Sequence, residues 1–542
     1  MVARAEELKT ELLEKILKRV RDRLDPERRP AVEDFVRQFY AQVAPVDLVE
    51  SSADNLYGAA LAVWGFAQKR PSAAPKIRVY NPRLEEHGWK SSHTIVEIVN
   101  DDMPFLVDSV TAELNRLDLE VHLIIHPIFA AERDAKGELK SLQARDAGPK
   151  AARQESLMHI QVTEQPAERH EEIAQGLTRV LADVRAAVED WQGMRELCRG
   201  IIAELENSPP PLPAEEIAEG LAFLKWIDDD HFTFLGYREY VFEGKGNDKP
   251  IASVTPGSGR GVLRDEQVYV FDGLRTKGAV PHDVLHFLKE PSLFRITKAN
   301  RMSSVHRRVH MDTIAVKCFD AKGKVTGERL FVGLFTSVAY SRSPGDIPML
   351  RQKVSDVLGR AGFDPRSHDG KALTHILETF PRDELFQIGE AELHDMAMNI
   401  LHLQERQRIA LFVRRDPFER FVSCLIYVPR DRFDTNLRQR FQHLVAAAFQ
   451  GELTAFYTHL TDAVLARLHL IVKTTPGRIP EVDLPALEQN LVEAARSWED
   501  RLEEALIEDR GEEQGIRCIR RFAMAFPAGY QEHFNADRKS VV

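Results

Sequence analysis

HTIVEIVNDDMPFLVDSVTAELNRLDLEVHLIIHPIF, residues 93–129, is the stretch around which the chain is organised. Thr94 to Val99 is β-branched and apolar, Asn100-Asp101-Asp102-Met103-Pro104 is a polar corner, and Val107, Val110, Leu114 and Leu117 follow at helical spacing. That order predicts strand, turn and helix. Leu119 to Phe129 is a second run rich in β-formers and too apolar to stand in water, so a βαβ unit results. Its first corner ends at a helix N-terminus, where unpaired N–H groups and the positive end of the helix dipole could hold a small polar ligand. Asn100, Asp101, Asp102, Met103 and Pro104 are therefore the candidate ligand-binding residues. The structural alternative is that Asp101 and Asp102 cap the helix.

Outward from this unit, 542 residues suffice for several domains of ordinary size. Hydrophobic residues at 43% and charged residues at 29% describe globular domains rather than a disordered or membrane chain. MVARAEELKTELLEKILKRV is a charged amphipathic helix without the apolar core of a secretory signal, and a cytoplasmic location is expected. Cys198, Cys318, Cys424 and Cys518 are isolated from one another, which excludes the usual zinc spacings and disfavours a disulfide framework. The net charge of -11 is spread along the chain and argues against general nucleic-acid affinity. Arg406, Arg408, Arg414, Arg415, Arg420, Arg430, Arg432, Arg438 and Arg440 form a local exception. Without stacking aromatics they are expected on a solvated face or an interface.

In chain order, helices are expected at Ala5–Leu24 and Val32–Val43, and a strand at Ile77–Tyr80. A turn-rich insert, 132–153, leads to a strand at Leu157–Val162 and a helix at Ala167–Trp191, with a further helix through Leu197 and Ile201. The first region then reads as β-α-β-β-α, a sheet covered on one face by two helices. Ser208-Pro209-Pro210-Pro211-Leu212-Pro213 ends that region. Beyond a helix at Ala214–Ile227 the pattern is mostly antiparallel β: Phe232–Phe242, Val268–Phe271, Leu293–Lys298, Thr313–Phe319 and Val325–Phe335. A helical stretch follows from Ile347 to Gln407. From Arg408 the order β-β-α-β-β-α returns and ends in one long helix, Leu484–Ile507.

Motifs carrying familiar chemistry fail in context. Gly257-Ser258-Gly259-Arg260-Gly261 precedes a strand rather than a helix and is expected to be a hairpin loop. His306, His310 and Asp312 would share one side of an extended segment, as would His122 and His126, but structural hydrogen bonding explains such histidines better than a metal. Ser367-His368-Asp369-Gly370 fits helix capping rather than a triad, whose members converge through space.

Taken together, NDDMPFLVDSV, DDDHFTFLGYREY, ITKANRMSSVHRRVHMD, LFVGLFTSVAYSRSP, FPRDELFQI, LFVRRDPFERFVSCLIYVPRDRF and AFPAGY closely resemble the N-terminal half of the large bacterial NAD-specific glutamate dehydrogenases, over roughly 32–534. The resemblance implies an α+β, multidomain chain. Its parts would be a helical lead-in (1–45), an ACT-like (ferredoxin-like) domain with helices on one face of the sheet (46–206), a β-rich PAS-like domain (207–345), a helical connector (346–407), a second ACT-like domain (408–508) and the start of a further region (509–542). In ACT domains the ligand corner often has a glycine after the proline; Phe105 stands there in this chain and hinders close backbone approach.

In the family the catalytic and dinucleotide-binding parts lie further along. Their glycine-rich lysine motif and dinucleotide fingerprint have no counterpart here, so no catalytic, cofactor-binding or metal residue is carried over, and NAD is expected only in the full-length family. The tail NADRKSVV departs from the family's continuation and implies a truncated chain, whether cut short by design or by its reading frame. What the resemblance implies for function is a regulatory and oligomerisation portion of an enzyme that deaminates L-glutamate oxidatively to 2-oxoglutarate with NAD. Alone it would be inactive. Its partners would be the catalytic region of the same polypeptide, other subunits of a homo-oligomer and an amino-acid effector, with neither nucleic acid nor membrane. The alternatives are a stand-alone amino-acid-sensing or signalling adaptor acting by protein-protein contacts, and an enzyme built on His306, His310 and Asp312.

Overall fold

Helices α1 (Val2–Arg23), α2 (Arg29–Ala41) and α3 (Ala53–Ala67) precede the first sheet in the computed structural model. The structure describes residues 2–71, 73–146, 152–243, 251–268, 287–403, 406–475, 478–522 and 525–534, so the strand expected at Val268–Phe271 falls almost wholly outside them. The chain groups into two compact units: Met1–Glu243 with Ala252–Asp272 and Ser292–Val338, and Gly244–Ile251 with Gly273–Pro291 and Ala339–Val542.

In the first unit the strands β1 (Lys76–Tyr80) and β2 (His93–Asp101) pair antiparallel. The expected turn and helix follow as α4 (Leu106–Arg116). The apolar run after it is two strands, β3 (Val121–Ile125) and β4 (Ile128–Arg133), parted at His126-Pro127. Proline cannot donate to a ladder, and Pro127 O instead accepts from Leu157 N at 3.1 Å. The insert holds a further strand, β5 (Leu139–Ala144), paired with β4. β6 (Arg153–Thr163) then lies between β2 on one side and β3 and β4, in succession, on the other.

Alternation along β2 sends Ile95, Glu97 and Val99 to one face and Val96, Ile98 and Asn100 to the other. Val99 joins Phe35, Phe39, Val63, Phe129 and Leu157 in a core that α1–α3 build, so helices cover this face as well as the one facing α4 and the next helix. Each buried Phe or Leu here contributes roughly 1.5–3 kcal/mol. That next helix, α5 (His170–Asn207), is continuous over 38 residues, where two were expected. Gly193 and Gly200 sit in open space on it and do not interrupt the ladder. The prolines end it, and α6 (Ala214–Trp226) follows.

The β-rich region uses β7 (Phe232–Glu243), β8 (Ile251–Val254), β9 (Arg260–Gly261), β10 (Phe294–Met302), β11 (His310–Phe319) and β12 (Val325–Phe335), in the order β10-β11-β12-β7-β8 with β9 on β7. It is tied to α5 by three carboxylates spaced seven and fourteen residues apart on one helical stripe. Asp183 accepts from Ser304 at 2.5 Å, Asp190 from Arg264 at 2.6 Å, and Glu204 from Arg329 at 2.6 Å.

The second unit holds α7 (Leu350–Ala361), α8 (His368–Thr379) and α9 (Glu390–Leu403), then β13 (Ala410–Arg415), β14 (Phe421–Pro429), α10 (Thr435–Ala448), β15 (Glu452–His459), β16 (Leu465–Lys473) and α11 (Leu484–Ala495). The sheet order is β13-β14-β16-β15, the same as β1-β2-β6-β3 in the first unit, with the β4–β5 hairpin as the first sheet's addition. The expected single helix to Ile507 breaks after α11. Ser497 forms a capping box with Asp500 and starts α12 (Trp498–Arg510), followed by α13 (Glu512–Phe522).

Candidate functional site

The corner between β2 and α4 is where a ligand was expected, and most of its polar groups are engaged within the protein, although Asn100 Nδ2 is buried without a hydrogen-bond partner among the described residues. Asp101 accepts from Arg70 at 2.8 Å and faces Arg185 at 2.9 Å and Arg153 at 3.5 Å. Burial alone would raise its carboxyl; Arg70, Arg185 and Arg153 outweigh that and hold it below the usual carboxylate range. Asn100 is buried, and its Oδ1 accepts from Arg185 at 3.0 Å. Asp102 donates its N–H to Gln154 O at 2.9 Å, Met103 is half-buried, and Pro104 is exposed.

Neither aspartate caps α4. The cap position belongs to Phe105, which makes no side-chain cap bond and has φ +71, the left-handed backbone that a glycine would adopt without strain. Ser303 to Val309 of the β-rich region lies over this helix start. His306 donates its N–H to Ser109 Oγ at 2.9 Å, its ring is 2.9 Å from Asp108, and it packs 5.1 Å from the Phe105 ring.

A second polar group lies inside the same sheet, at positions not singled out from the sequence. Arg78, Glu97 and His159 stand opposite one another across β1, β2 and β6. Glu97 is fully buried; Arg78 Nε donates to its Oε2 at 2.9 Å and Tyr80 OH to its Oε1 at 3.0 Å. His159 Nδ1 is 3.6 Å from Oε1. Burial acts to raise the Glu97 carboxyl, but His159 and Arg78 hold it below its ordinary range.

The second sheet holds a related group, with a serine in the glutamate's place and the histidine two residues out of register, opposite Leu425. Arg414 on β13 stands opposite Ser423 on β14, and His469 on β16 shares a 2.8 Å hydrogen bond with Ser423 Oγ. The carboxylate comes instead from Glu384 in the short helix Arg382–Gln387, bound by Arg414 at 2.5 and 3.0 Å. Burial would raise Glu384, yet Arg414 and then His469 bring it down to about 2, while burial pushes His469 below its usual value. These are closed ion pairs without a substrate-facing acid or base.

The remaining motifs take structural parts. His306, in a turn at φ +67, does not join the other two: His310 Nδ1 is 3.0 Å from Ala299 O, and Asp312 pairs with Lys298 at 2.7 Å. His122 lies on β3 near Thr163, whereas His126 sits beyond the strand against Ser156. Among the described residues no three His, Cys, Asp or Glu side chains gather to hold a metal. Ser367 caps α8 through Gly370 N at 3.0 Å. Gly257–Gly261 is a turn rather than the expected hairpin loop, because β9 pairs with β7 and not with β8; its Gly261 N–H is taken by Asp190 at 2.6 Å, so it does not fit a dinucleotide phosphate. Cys198 and Cys424 are buried and Cys318 and Cys518 half-buried, all free. Of the arginines expected at the surface, Arg414 and Arg420 are buried, Arg420 against Asp416 at 2.6 Å. No helix of the described residues is long and apolar enough to cross a membrane.

Comparison with known proteins follows this architecture. Residues 35–177 match the family description "Glutamate dehydrogenase, ACT1 domain", 410–499 "ACT2 domain", 347–406 "helical motif 1" and 505–538 "helical motif 2". The chain is 41% identical over 536 residues to the NAD-specific glutamate dehydrogenase of Halomonas elongata, covering 98% of this chain and 33% of that protein. For the protein of the same description from Pseudomonas aeruginosa the identity is 36% over 513 residues, covering 93% and 31%. For that of Mycobacterium tuberculosis it is 29% over 428 residues, covering 75% and 25%. The chain thus spans about a third or less of the length of these relatives.

Proposed function

Because the chain belongs to the large NAD-specific glutamate dehydrogenase family, we propose that it is the N-terminal, non-catalytic portion of such an enzyme, regulating and assembling a catalytic region that lies elsewhere in the polypeptide. The whole enzyme would oxidise L-glutamate to 2-oxoglutarate with NAD in the cytoplasm. Its partners would be the catalytic region and further subunits. What carries this proposal is that the two sheets of identical strand order coincide with the ACT1 and ACT2 matches. The charged groups inside both are spent on ion pairs rather than offered to a substrate. Regulation would then work by favouring one arrangement of these domains over another.

The test is glutamate-dependent NAD reduction by the purified chain. None is expected. Turnover by the chain alone, at a rate proportional to its concentration and absent from a mock preparation, overturns the proposal.

A further inference from the structure

β15 is the outer strand of the second sheet: β16 pairs with one of its sides, and no described strand takes the other. The free side presents unpaired N–H and C=O groups. We propose that this edge joins the same edge of a second copy of the chain, the two strands running antiparallel across a two-fold axis so that two four-stranded sheets become one continuous sheet. The inference rests on the assembly reading above and names the surface that serves it.

Three observations carry it. First, the last four residues of the strand, Phe456 to His459, are all exposed, Phe456 at 44% and Tyr457 at 51%, and Leu460 and Val464 in the following turn extend the apolar surface. The corresponding strand of the first sheet, β3, ends instead with Ile125 in the core and has Leu123 packed against it. Phe456 stands opposite Leu470 and Tyr457 opposite His469, so the two rings belong to opposite faces and share only the edge. A partner that extends the sheet covers both, whereas one lying on either face covers one.

Second, the devices that keep sheet edges apart are missing from the middle of this one. A bulge falls between Leu453 and Ala455, but Ala455 to Thr458 holds neither a charge nor a proline. Third, the two ends of the edge differ in charge. Glu452 makes no ion pair among the described residues, Lys473 opposite it included. His459 at the other end stands opposite Arg467, and Asp462 in the turn beyond is already paired with Arg430. Antiparallel self-pairing sets the acidic start of each strand beside the basic end of the other, where parallel pairing would set like beside like.

Sedimentation equilibrium of the full chain over a range of concentrations tests the pairing, with amide hydrogen exchange followed at the same concentrations. A reversible dimer is expected, and the amides of Ala455–His459 should exchange more slowly as the protein is concentrated. Phe456→Lys and Tyr457→Lys, at exposed positions outside the core, are each expected to weaken the dimer roughly tenfold or more. Glu452→Arg should weaken it less, and the more so at low salt. The proposal is overturned if the parent is a monomer at every concentration, if both lysine variants dimerise as the parent does, or if a dimer forms without added protection along β15. Any of these leaves the non-catalytic reading standing, since that fails only through NAD reduction by the chain alone.

Discussion

Glu384 and Arg414 meet through two hydrogen bonds of 2.5 and 3.0 Å while each side chain is less than a twentieth exposed. Removing one partner strands the other charge away from water. Glu384→Gln is expected to destabilise the second unit by about 3–5 kcal/mol, whereas replacing both residues by leucine costs less. Calorimetric unfolding of the three proteins measures it. Equal losses in the single and double variants would refute a buried pair.

Acid should expose the same pair. The folded Glu384 carboxyl titrates at about 2, below its ordinary value of about 4.3, so the stabilisation is complete above the ordinary value and is lost as pH falls toward 2. Melting temperatures between pH 6 and 3 should fall more steeply in the parent than in Glu384→Gln.

Lys353 gives a slope of the same sign in alkali. Its ammonium donates to Leu385 O and Ile388 O at 2.9 and 2.7 Å, and burial pushes it down to about 8. Between that value and about 10.4 the unfolded chain binds the extra proton, so this group makes stability rise with pH over that window. Lys353→Met should flatten melting temperature against pH from 8 to 10; an unaltered slope would show that the amine is not shifted.

Phe105 separates backbone strain from packing. Phe105→Ala keeps the left-handed backbone and loses the ring, while Phe105→Gly loses the ring but relieves the strain. The glycine variant is expected to be the more stable of the two by about 1 kcal/mol. Urea denaturation resolves the difference, and an alanine variant equal to or better than glycine would show that φ is not held there.

A methyl group at Gly58 would lie 2.4 Å from Trp89 Cβ. Gly58→Ala should therefore cost about 1–3 kcal/mol despite alanine's higher helix propensity. Stabilisation on thermal melting would mean that α3 can move off the sheet.

Local periodicity was enough to place β2 and α4, because the alternation in TIVEIVND and the spacing of Val107, Val110, Leu114 and Leu117 need no distant partner. Helix α3 escaped notice for the converse reason. Leu56, Ala59, Ala60, Val63, Phe66 and Ala67 are buried around much of its circumference, so no clear polar stripe marks it as amphipathic. The break at Ser497 had its Ser-x-x-Asp signature in view, but continuing apolar spacing masked it. At the corner the five residues could be named, whereas Arg70 and Arg185 come from 31 and 85 positions away and nothing local selects them. Glu97, Arg414 and His469 did leave a sign: each is a polar residue set within an apolar strand, the pattern of an inward group that has a partner.

Helix α5 also constrains how the gene can change length. Asp183, Asp190 and Glu204 reach the β-rich region only because they share one stripe. One codon inserted between Asp190 and Glu204 would turn everything beyond it by about 100° and pull Glu204 off Arg329. Insertions and deletions should therefore be selected against within α5 yet tolerated in the β4–β5 hairpin, which adds to a sheet order already complete without it.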